Sequence, residues 1–280
     1  MIRITSDSTC DLGHLATERN IGIMSLQVNL GVDVYSDGVD ITPQDIFAYV
    51  EKTKELPKTS APSIGDYEQY FKEQLAFGDE IIHFNISSKS SGSHNFAKQA
   101  AESFDGKVHV IDSMALSSGQ GLLVMKAADM RDEGKSAQEI VSTIEELRTR
   151  VNTSFVPDTL DYLHKGGRVS GMVKTVAAMF KIHPLIYMEE GQLLPGKKYK
   201  GKMTSLIKQY VADLKEMYPS YDKSLCFITH SSAEQDLVDA AKEAVAECFE
   251  FDRVEETVAG SIITSHCGKG TLGVLFIYNH

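Results

Sequence analysis

Five serines stand within residues 87–93, and this spacing suits the binding of an anion. The segment follows the mainly apolar run at residues 81–86 and precedes a stretch in which Phe96 and Ala100 recur at helical spacing. A turn of this kind between strand and helix presents hydroxyls and the unpaired backbone N–H groups of a helix N-terminus, which bind carboxylate or phosphate. Helix capping alone requires one serine, so the pattern favours an anion site over a cap.

Three other polar segments lie at the ends of apolar runs, where α/β proteins place ligands. They are residues 5–9, 58–63 and 265–270. The first fits simple capping of the next helix equally well, and the second is also typical of an ordinary turn. Thr59 and Ser60 offer hydroxyls, and His266 can donate to an anion when protonated or in the appropriate neutral tautomer. An isolated histidine is more often a structural hydrogen-bond partner, so these segments predict a site only in combination.

The overall composition is that of a folded protein with an acidic surface. The chain has 280 residues, 42% of them hydrophobic, and a formal net charge of −11. That charge argues against sequence-independent binding of nucleic acid, which requires a positive surface. The four cysteines are scattered, the first residues lack a signal-peptide pattern, and no apolar run approaches the ~18 residues of a membrane span. We therefore expect a cytoplasmic protein with reduced thiols.

Short apolar runs alternate with helical patterns, which is typical of an α/β protein. Helices are predicted to start after Thr42, which precedes a proline, and after Ser63 and Ser136, each followed three residues later by an acid. The strands predicted in the first half are residues 3–5, 23–28, 80–86 and 108–112. We expect a parallel-type α/β N-terminal domain at residues 1–155.

The second half of the chain predicts a mixed α/β C-terminal domain at residues 156–280. A short helix from Asp158 is expected to end at a Gly-Gly pair, and residues 183–199 predict two strands around a Glu-Gly turn. The other elements predicted here are helices at residues 203–217 and 233–248 and strands at residues 225–229, 253–258 and 272–278.

Two glycine-rich segments imitate nucleotide-binding motifs without their context. Residues 268–273 match G-x-G-x-x-G, but too few residues follow for the helix and second strand of a βαβ unit. Residues 191–197 resemble a P-loop, but Lys198 replaces the Ser or Thr that holds magnesium. No acidic cluster has convincing metal-ligand spacing. We therefore predict neither a nucleotide site nor a metal site.

Taken in order, the polar motifs resemble those of the DegV family, to which the fatty-acid-binding subunits of bacterial fatty acid kinase belong. The motifs are T-S-D-S-T at residues 5–9, T-S-A-P-S at 59–63, I-S-S-K-S-S-G-S at 86–93, G-G-R-V-S-G at 166–171 and H-C-G-K-G-T-L-G at 266–273. Each is weak alone, but the ordered set extends over nearly the whole chain. The resemblance implies a two-domain α/β protein that holds one long-chain fatty acid in a tunnel between its domains.

The resemblance also assigns residues to the fatty acid head group. The residues implied to hold the carboxylate are Thr59, Ser60, Ser87, Ser88, Ser91 and His266. Arg168 is implied to lie near the head group, toward the kinase or the phosphoryl group. The implied partners are the fatty acid and a separate ATP-dependent kinase subunit, with membrane contact during lipid exchange and no nucleic acid. No cofactor besides the bound acid is implied, and the chain is expected to be a lipid-binding subunit and not a complete enzyme.

The sequence departs from the family pattern at two positions. Lys89 stands where glycine is usual, and Ala61 stands where glutamine is common. If Lys89 needs a positive φ, the turn is strained or shaped differently. Alternatively, its ammonium group lies near the site and strengthens anion binding.

Two other functions remain open at this point. A hydrolase or acyltransferase would use His266 as the base for Ser88, with Asp7 as the orienting carboxylate, although no nucleophile elbow is present. A regulatory or sugar-phosphate-binding relative would keep the fold and change the ligand. For a fatty acid, a C16–C18 tail contributes roughly 10 kcal/mol, whereas each head-group hydrogen bond contributes roughly 1–3 kcal/mol. The tail would therefore supply the affinity, and the head-group contacts would set the orientation.

Overall fold

The computed structural model describes residues 1–169 and 182–279. Ser170 and Gly171, which end the G-G-R-V-S-G motif, lie outside the described residues. The helices in the described ranges are α1 (His14–Glu18), α2 (Pro43–Thr53), α3 (Ile64–Gln74), α4 (Ser93–Ala101), α5 (Ser118–Asp132), α6 (Ala137–Leu147), α7 (Asp161–Gly166), α8 (Met203–Met217), α9 (Gln235–Cys248) and α10 (Ser261–Cys267). None of these helices has both the length and the apolar composition needed to span a membrane.

The strands of the described residues form three sheets. In chain order they are β1 (Ile2–Asp7), β2 (Gly22–Met24), β3 (Gln27–Leu30), β4 (Asp33–Ser36), β5 (Lys58–Ser60), β6 (Glu80–Asn85), β7 (Val108–Asp112), β8 (Val151–Asn152), β9 (Ser154–Val156), β10 (Ile182–Glu189), β11 (Gln192–Lys200), β12 (Tyr221–His230), β13 (Val254–Val258) and β14 (Leu272–Tyr278).

The first sheet is parallel and has the strand order β2-β1-β6-β7. Its central strands are buried, because Ile4, Ile82 and Phe84 pack into the main core. Neighbouring parallel strands end at the same edge of a sheet, so the turns that follow β1 and β6 lie side by side. The predicted parallel α/β architecture of the N-terminal half is confirmed.

A small antiparallel sheet of order β4-β3-β5 departs from the prediction in two places. The strand predicted at residues 23–28 is two strands, because the chain leaves the parallel sheet after Met24 and enters the antiparallel sheet as β3. Apolar and polar residues alternate straight through this break, so the sequence pattern does not mark it. The segment predicted as a loop at residues 58–63 begins with β5, which places Thr59 on a strand.

The third sheet is mixed and has the order β11-β10-β9-β14-β12-β13, with β8 also paired to β14. Strands β12 and β13 run parallel, and the other pairs are antiparallel. Helices α8 and α9 cover one face, where Tyr210, Val238 and Phe276 are buried. The mixed sheet predicted for the C-terminal half is confirmed.

Helix α5 lies between the two large sheets and contacts strands of both. Both sides of the helix are therefore covered, and Leu123, Val124 and Ala127 have no exposed surface. A helix that is buried all round lacks an apolar stripe. This explains why the sequence pattern predicts no helix at this position.

The predicted division near residue 155 falls within β9, which pairs with β14 of the C-terminal half. The division into two domains at that point stays a prediction. The short helix expected from Asp158 is α7 and begins three residues later, at Asp161. It ends as predicted at the Gly-Gly pair, because Gly167 adopts a φ of 68° that suits glycine.

Candidate functional site

A largely apolar cavity lies where β9, β14 and α10 meet the turn after β6 and the start of α5. Its volume is about 430 Å³, within the roughly 300–1,000 Å³ typical of small-molecule sites. The apolar part of its lining includes Leu26, Ile86, Phe155, Leu163, Leu193 and Leu275. These residues come from both halves of the chain, so the cavity is a product of the tertiary structure. Its lining suits an apolar ligand.

Two of the predicted head-group residues meet at one wall of the cavity. Thr59 lies on β5 and His266 lies near the end of α10, and Thr59 Oγ1 is 2.8 Å from His266 Nε2. The pairing of β5 with β3 orients Thr59, and α10 packs against both strands. Two residues that are 207 positions apart in the chain therefore form one polar pair.

The imidazole of His266 is neutral at pH 7. Burial, together with the nearby positive charge of Arg168, lowers the pKa of His266 to about 4. In the tautomer that carries the single proton on Nε2, the ring donates to Thr59 Oγ1 and leaves the threonine hydroxyl hydrogen for a ligand. The other ring nitrogen, Nδ1, is buried and has no hydrogen-bond partner among the described residues. The pair can thus donate a hydrogen bond to an anion through the threonine.

The G-G-R part of the fourth motif packs against His266. A β-carbon at Gly166 would lie 3.0 Å from His266 Nδ1, so glycine keeps space for the ring. The Arg168 guanidinium donates to the Gly166 carbonyl at 2.7 Å. Arg168 lines the cavity and is exposed, so its charge lies at the cavity mouth beside the Thr59–His266 pair.

Part of the serine segment forms a second polar edge of the cavity. Ser90, Ser91 and Gly92 line it at the N-terminus of α4. The Ser91 hydroxyl accepts the Ser93 N–H at 3.2 Å and lies 2.9 Å from the Ser93 hydroxyl. Ser91 therefore accepts one N–H of the first turn of α4 and lines the cavity, whereas Ser90 is a lining residue that the predicted set does not include.

Two predicted head-group residues, Ser87 and Ser88, are absent from the lining formed by residues 1–169 and 182–279. Ser87 is fully buried, and its hydroxyl donates to the Gly191 carbonyl at 2.7 Å and accepts the Lys89 N–H at 3.2 Å. The backbone N–H of Ser88 donates to Asp112 Oδ1 at 3.1 Å. These contacts tie the turn to the β10–β11 hairpin and to β7, so both serines shape the turn.

The structure also answers what Lys89 does in the place of a glycine. Lys89 is not among the residues with positive φ in the described ranges, so the turn requires no glycine there. Its side chain is exposed and does not belong to the cavity lining described above. Of the two alternatives for Lys89, the strained turn is therefore wrong, and the side chain is exposed to solvent.

Ser60 and Ala61 continue the wall that starts at Thr59. The Ser60 hydroxyl donates to Gln27 Oε1 at 3.2 Å and accepts from Asn29 Nδ2 at 3.3 Å, so its hydrogen bonds are largely used within the small sheet. Ala61 is smaller than the glutamine common in the family, and therefore leaves more space at this wall.

Other hydroxyls of the cavity wall bond away from the cavity. The Thr229 hydroxyl lies 2.7 Å from that of Thr257. The Ser231 hydroxyl lies 3.0 Å from that of Thr264. Because these groups are satisfied within the protein, this wall offers a ligand little polar contact. Donors for an anion gather instead at Thr59 and the serine turn.

Asp7 supports the serine turn from behind. It is fully buried, and its carboxylate accepts the Ile86 N–H at 2.9 Å. The side-chain amides of Asn85 and Gln120 donate to the same carboxylate at 3.2 and 3.0 Å. Burial raises the pKa of Asp7, and these hydrogen bonds oppose that shift. The first motif therefore holds the end of β6, which the sequence does not reveal.

The arrangement does not assemble the triad considered for a hydrolase. His266 pairs with Thr59, Ser88 lies outside the cavity lining described above, and the Asp7 carboxylate is bonded to the turn. In the parts of the chain that the structure describes, no group of three His, Cys, Asp or Glu side chains is placed to hold a metal ion.

The fold and the site together define an α/β protein with a mainly apolar cavity and hydrogen-bond donors at one wall. The chain belongs to the DegV family, because the model of that uncharacterised family matches residues 1–279. A DegV domain-containing protein of Deinococcus radiodurans is 31% identical over 280 residues, which cover 98% of this chain and 97% of the relative. A DegV domain-containing protein of Listeria monocytogenes is also 31% identical, with 98% of each chain covered.

Solved structures of the same fold bind fatty acids. A DegV family protein from Thermus thermophilus, described by its fatty acid binding, has a TM-score of 0.92 and 28% identity, with 99% of each chain covered. A stearic acid-binding protein from Eubacterium ventriosum has a TM-score of 0.86 and 27% identity, with 99% of this chain and 98% of that chain covered. The resemblance found in the motifs and the predicted fold class are confirmed.

Proposed function

We propose that this protein binds one long-chain fatty acid, with the tail in the cavity and the carboxylate at Thr59 and His266. The observation that carries the proposal is the asymmetry of the cavity. Its lining is mainly apolar, hydroxyls such as those of Thr229 and Ser231 bond within the protein, and the donors left for an anion lie at Thr59 and the serine turn. The fatty acid binding of similar proteins supports the same ligand class here. Each buried methylene contributes about 0.8 kcal/mol, so the tail supplies most of the affinity.

The carboxylate is held mainly by uncharged donors. The Thr59 hydroxyl, oriented by neutral His266, and the hydroxyl of Ser91 donate to its oxygens, and Ser60 completes that wall. Arg168 adds a positive charge at the mouth, where it attracts the carboxylate without being buried with it. Ser87 and Ser88 act through the shape of the turn.

We further propose that the protein is a carrier subunit that presents the carboxylate to a separate ATP-dependent kinase for acyl-phosphate formation in phospholipid metabolism. The exposed position of Arg168 beside the head-group wall supports this role, because a kinase must reach the carboxylate oxygen. The same proposal includes two domains divided near residue 155, a cytoplasmic location and membrane contact during lipid exchange. The four unpaired cysteines support a reducing compartment.

Mass spectrometry of the denatured, purified protein tests the ligand class directly. We expect an equimolar amount of a long-chain fatty acid to be released. A protein that is purified empty and hydrolyses simple esters would contradict the proposal and support a hydrolase.

Removing the head-group pair tests the site. In the double variant Thr59→Val, His266→Leu, the preference for hexadecanoic acid over hexadecan-1-ol is expected to fall about 100-fold. The variant loses the hydrogen bond from Thr59 to the charged carboxylate, which contributes roughly 1.5–3 kcal/mol, together with the histidine that orients the threonine. Affinity for the alcohol should change little, since the tail contacts remain. Competitive displacement of a fluorescent fatty acid measures both dissociation constants.

Thr229→Val is the matched control for that double variant. It removes a hydroxyl from another wall of the same cavity, where that hydroxyl bonds to Thr257 and Ser118 and not toward the ligand space. We expect the preference for the acid to persist in this control. An unchanged preference in the double variant, or an equal loss in the control, would contradict the site assignment.

A further inference from the structure

Helix α10 is attached at both ends to the small antiparallel sheet β4-β3-β5. At its C-terminal end, His266 pairs with Thr59 on β5 at 2.8 Å. At its N-terminal end, the Ser261 N–H donates to Asp37 Oδ1 at 2.7 Å, and Asp37 directly follows β4. Asp37, which bonds to the start of the helix, therefore directly follows one strand of the small sheet, and Thr59, which bonds to its histidine, lies on another strand of the same sheet.

A second carboxylate reinforces the N-terminal attachment. The Gly260 N–H donates to Asp11 Oδ1 at 2.8 Å, and Ser117 donates to the other oxygen of the same carboxylate. A β-carbon at Gly260 would lie 3.1–3.2 Å from oxygens of Asp37 and Asp11, so the two carboxylates closely surround this glycine. We call Asp11 and Asp37 the carboxylate clamp.

Burial of the two aspartates of the carboxylate clamp costs free energy, which indicates that their position in the fold matters. Asp11 and Asp37 are only 5% and 2% exposed. Burial raises the pKa of both groups, and the charges of neighbouring aspartates raise it further. Hydrogen bonds from the backbone and from serine hydroxyls oppose this cost. Apolar side chains would fill the same space without that desolvation cost.

A short helix depends on such attachments for its orientation. Helix α10 has seven residues, so its own hydrogen bonds hold it weakly. A small rotation about its N-terminal end would move the His266 ring away from Thr59. We propose that Asp37, assisted by Asp11, is a positioning residue that sets the place of His266 at the ligand head group. This inference rests on the proposed function, in which His266 and Thr59 hold a carboxylate.

The test compares Asp37→Ala with Asp37→Asn in the full-length protein. Alanine removes the acceptor of the Ser261 N–H, whereas asparagine keeps an oxygen acceptor in the same space. We expect Asp37→Ala to lower the preference for hexadecanoic acid over hexadecan-1-ol about tenfold, and Asp37→Asn to retain most of it. Rescue by the conservative variant distinguishes positioning from general loss of structure.

The NMR signal of the His266 ring provides a readout that needs no ligand. It is assigned by its absence from the spectrum of His266→Leu. In Asp37→Ala we expect the titration midpoint of His266 to rise from about 4 toward the ordinary histidine value, because the ring gains access to water. Asp37→Asn should leave the midpoint within about half a pH unit of the original.

Glu139→Ala is the matched control. Glu139 accepts the Ser136 N–H at 2.9 Å at the start of α6, so this variant also removes a carboxylate acceptor from a helix N-terminus, away from the cavity. Glu139→Ala should change neither the preference for hexadecanoic acid over hexadecan-1-ol nor the titration midpoint of His266. If Asp37→Ala does not fold, Asp37→Ser takes its place, because serine keeps a polar atom but falls short of the Ser261 N–H.

Two results would contradict the proposal that Asp37 positions His266. One is an unchanged His266 midpoint in folded Asp37→Ala or Asp37→Ser. The other is an equal loss of preference in the alanine and asparagine variants. If the original protein shows no preference for the acid over the alcohol, that result would contradict the proposed function instead. The titration midpoint of His266 would still test whether Asp37 positions the histidine.

Discussion

Shortening the ligand from hexadecanoic to decanoic acid is expected to weaken binding by roughly three to four orders of magnitude. Six fewer methylenes at about 0.8 kcal/mol each remove about 5 kcal/mol, which exceeds what any single head-group hydrogen bond contributes. The apolar cavity lining is the physical reason, because Phe155, Leu193 and Leu275 exchange contact with water for contact with the tail. Titration calorimetry or competitive displacement over an even-numbered series of acids measures the slope.

The alcohols of the same chain lengths are the control for this series. They lack the carboxylate but fill the same cavity, so their affinities should rise with the same slope from a weaker starting value. A constant affinity across the acids would contradict the placement of the tail in the cavity. Parallel slopes separated by a constant offset would assign the offset to the wall formed by Thr59 and His266.

The second large effect concerns pH and a histidine away from the ligand. His83 on β6 is fully buried, and burial lowers its pKa to about 3. Thr5 Oγ1 lies 2.9 Å from its Nδ1, and Asn85 Nδ2 lies 3.3 Å from its Nε2, so both ring nitrogens are bonded while the ring is neutral. The folded protein therefore keeps His83 neutral at acidities where an unfolded chain protonates it.

The sign of the effect follows from the protons bound in each state. An unfolded histidine protonates near pH 6.5, whereas folded His83 does so only near pH 3, so stability falls as pH decreases from 7. Between pH 7 and 4.5 the loss from His83 is about 3 kcal/mol. We expect His83→Gln to reduce the pH dependence of the free energy of unfolding by that amount. Urea unfolding of the original protein and the variant at both pH values measures it.

His14→Gln is the control for the pH experiment. The His14 side chain is 67% exposed, so its replacement controls for the loss of a histidine that is not buried. The pH dependence of the free energy of unfolding must be compared between the variant and the original protein. In both proteins the raised pKa values of Asp7, Asp11 and Asp37 oppose the effect of His83, because they stabilise the fold as pH falls. An unaltered pH dependence in His83→Gln would contradict the assignment of a neutral, buried imidazole.

Local features of the fold could be predicted because they depend on residues close in sequence. The helix starts predicted at Thr42, Ser63 and Ser136 are all formed. Each is a capping box, which requires only a hydroxyl and an acid three residues later, although at Thr42 the sequence predicted only an N-cap followed by a proline. Strand β14 follows directly from a continuous apolar run. Helix α5 could not be predicted in the same way, because burial on all sides removes the pattern that marks a helix.

The candidate site was predictable in its composition but not in its contacts. The motifs identify Thr59, His266 and Arg168, and the structure brings all three to one wall. Motifs do not distinguish Ser91, which faces the cavity, from Ser87, whose hydroxyl bonds to the β10–β11 hairpin. That difference arises from a contact between residues more than 100 positions apart.

The sequence by itself determined the family, the alternation of strands and helices, and which segments carry polar groups for an anion. These properties are carried by residue type and short-range periodicity. Only the tertiary structure decided that His266 forms a hydrogen bond with Thr59 and that Asp37 accepts a hydrogen bond from the other end of the same helix. Each of those hydrogen bonds joins residues more than 200 positions apart. Their geometry depends on how one small sheet and one short helix pack together, and no local pattern encodes that packing.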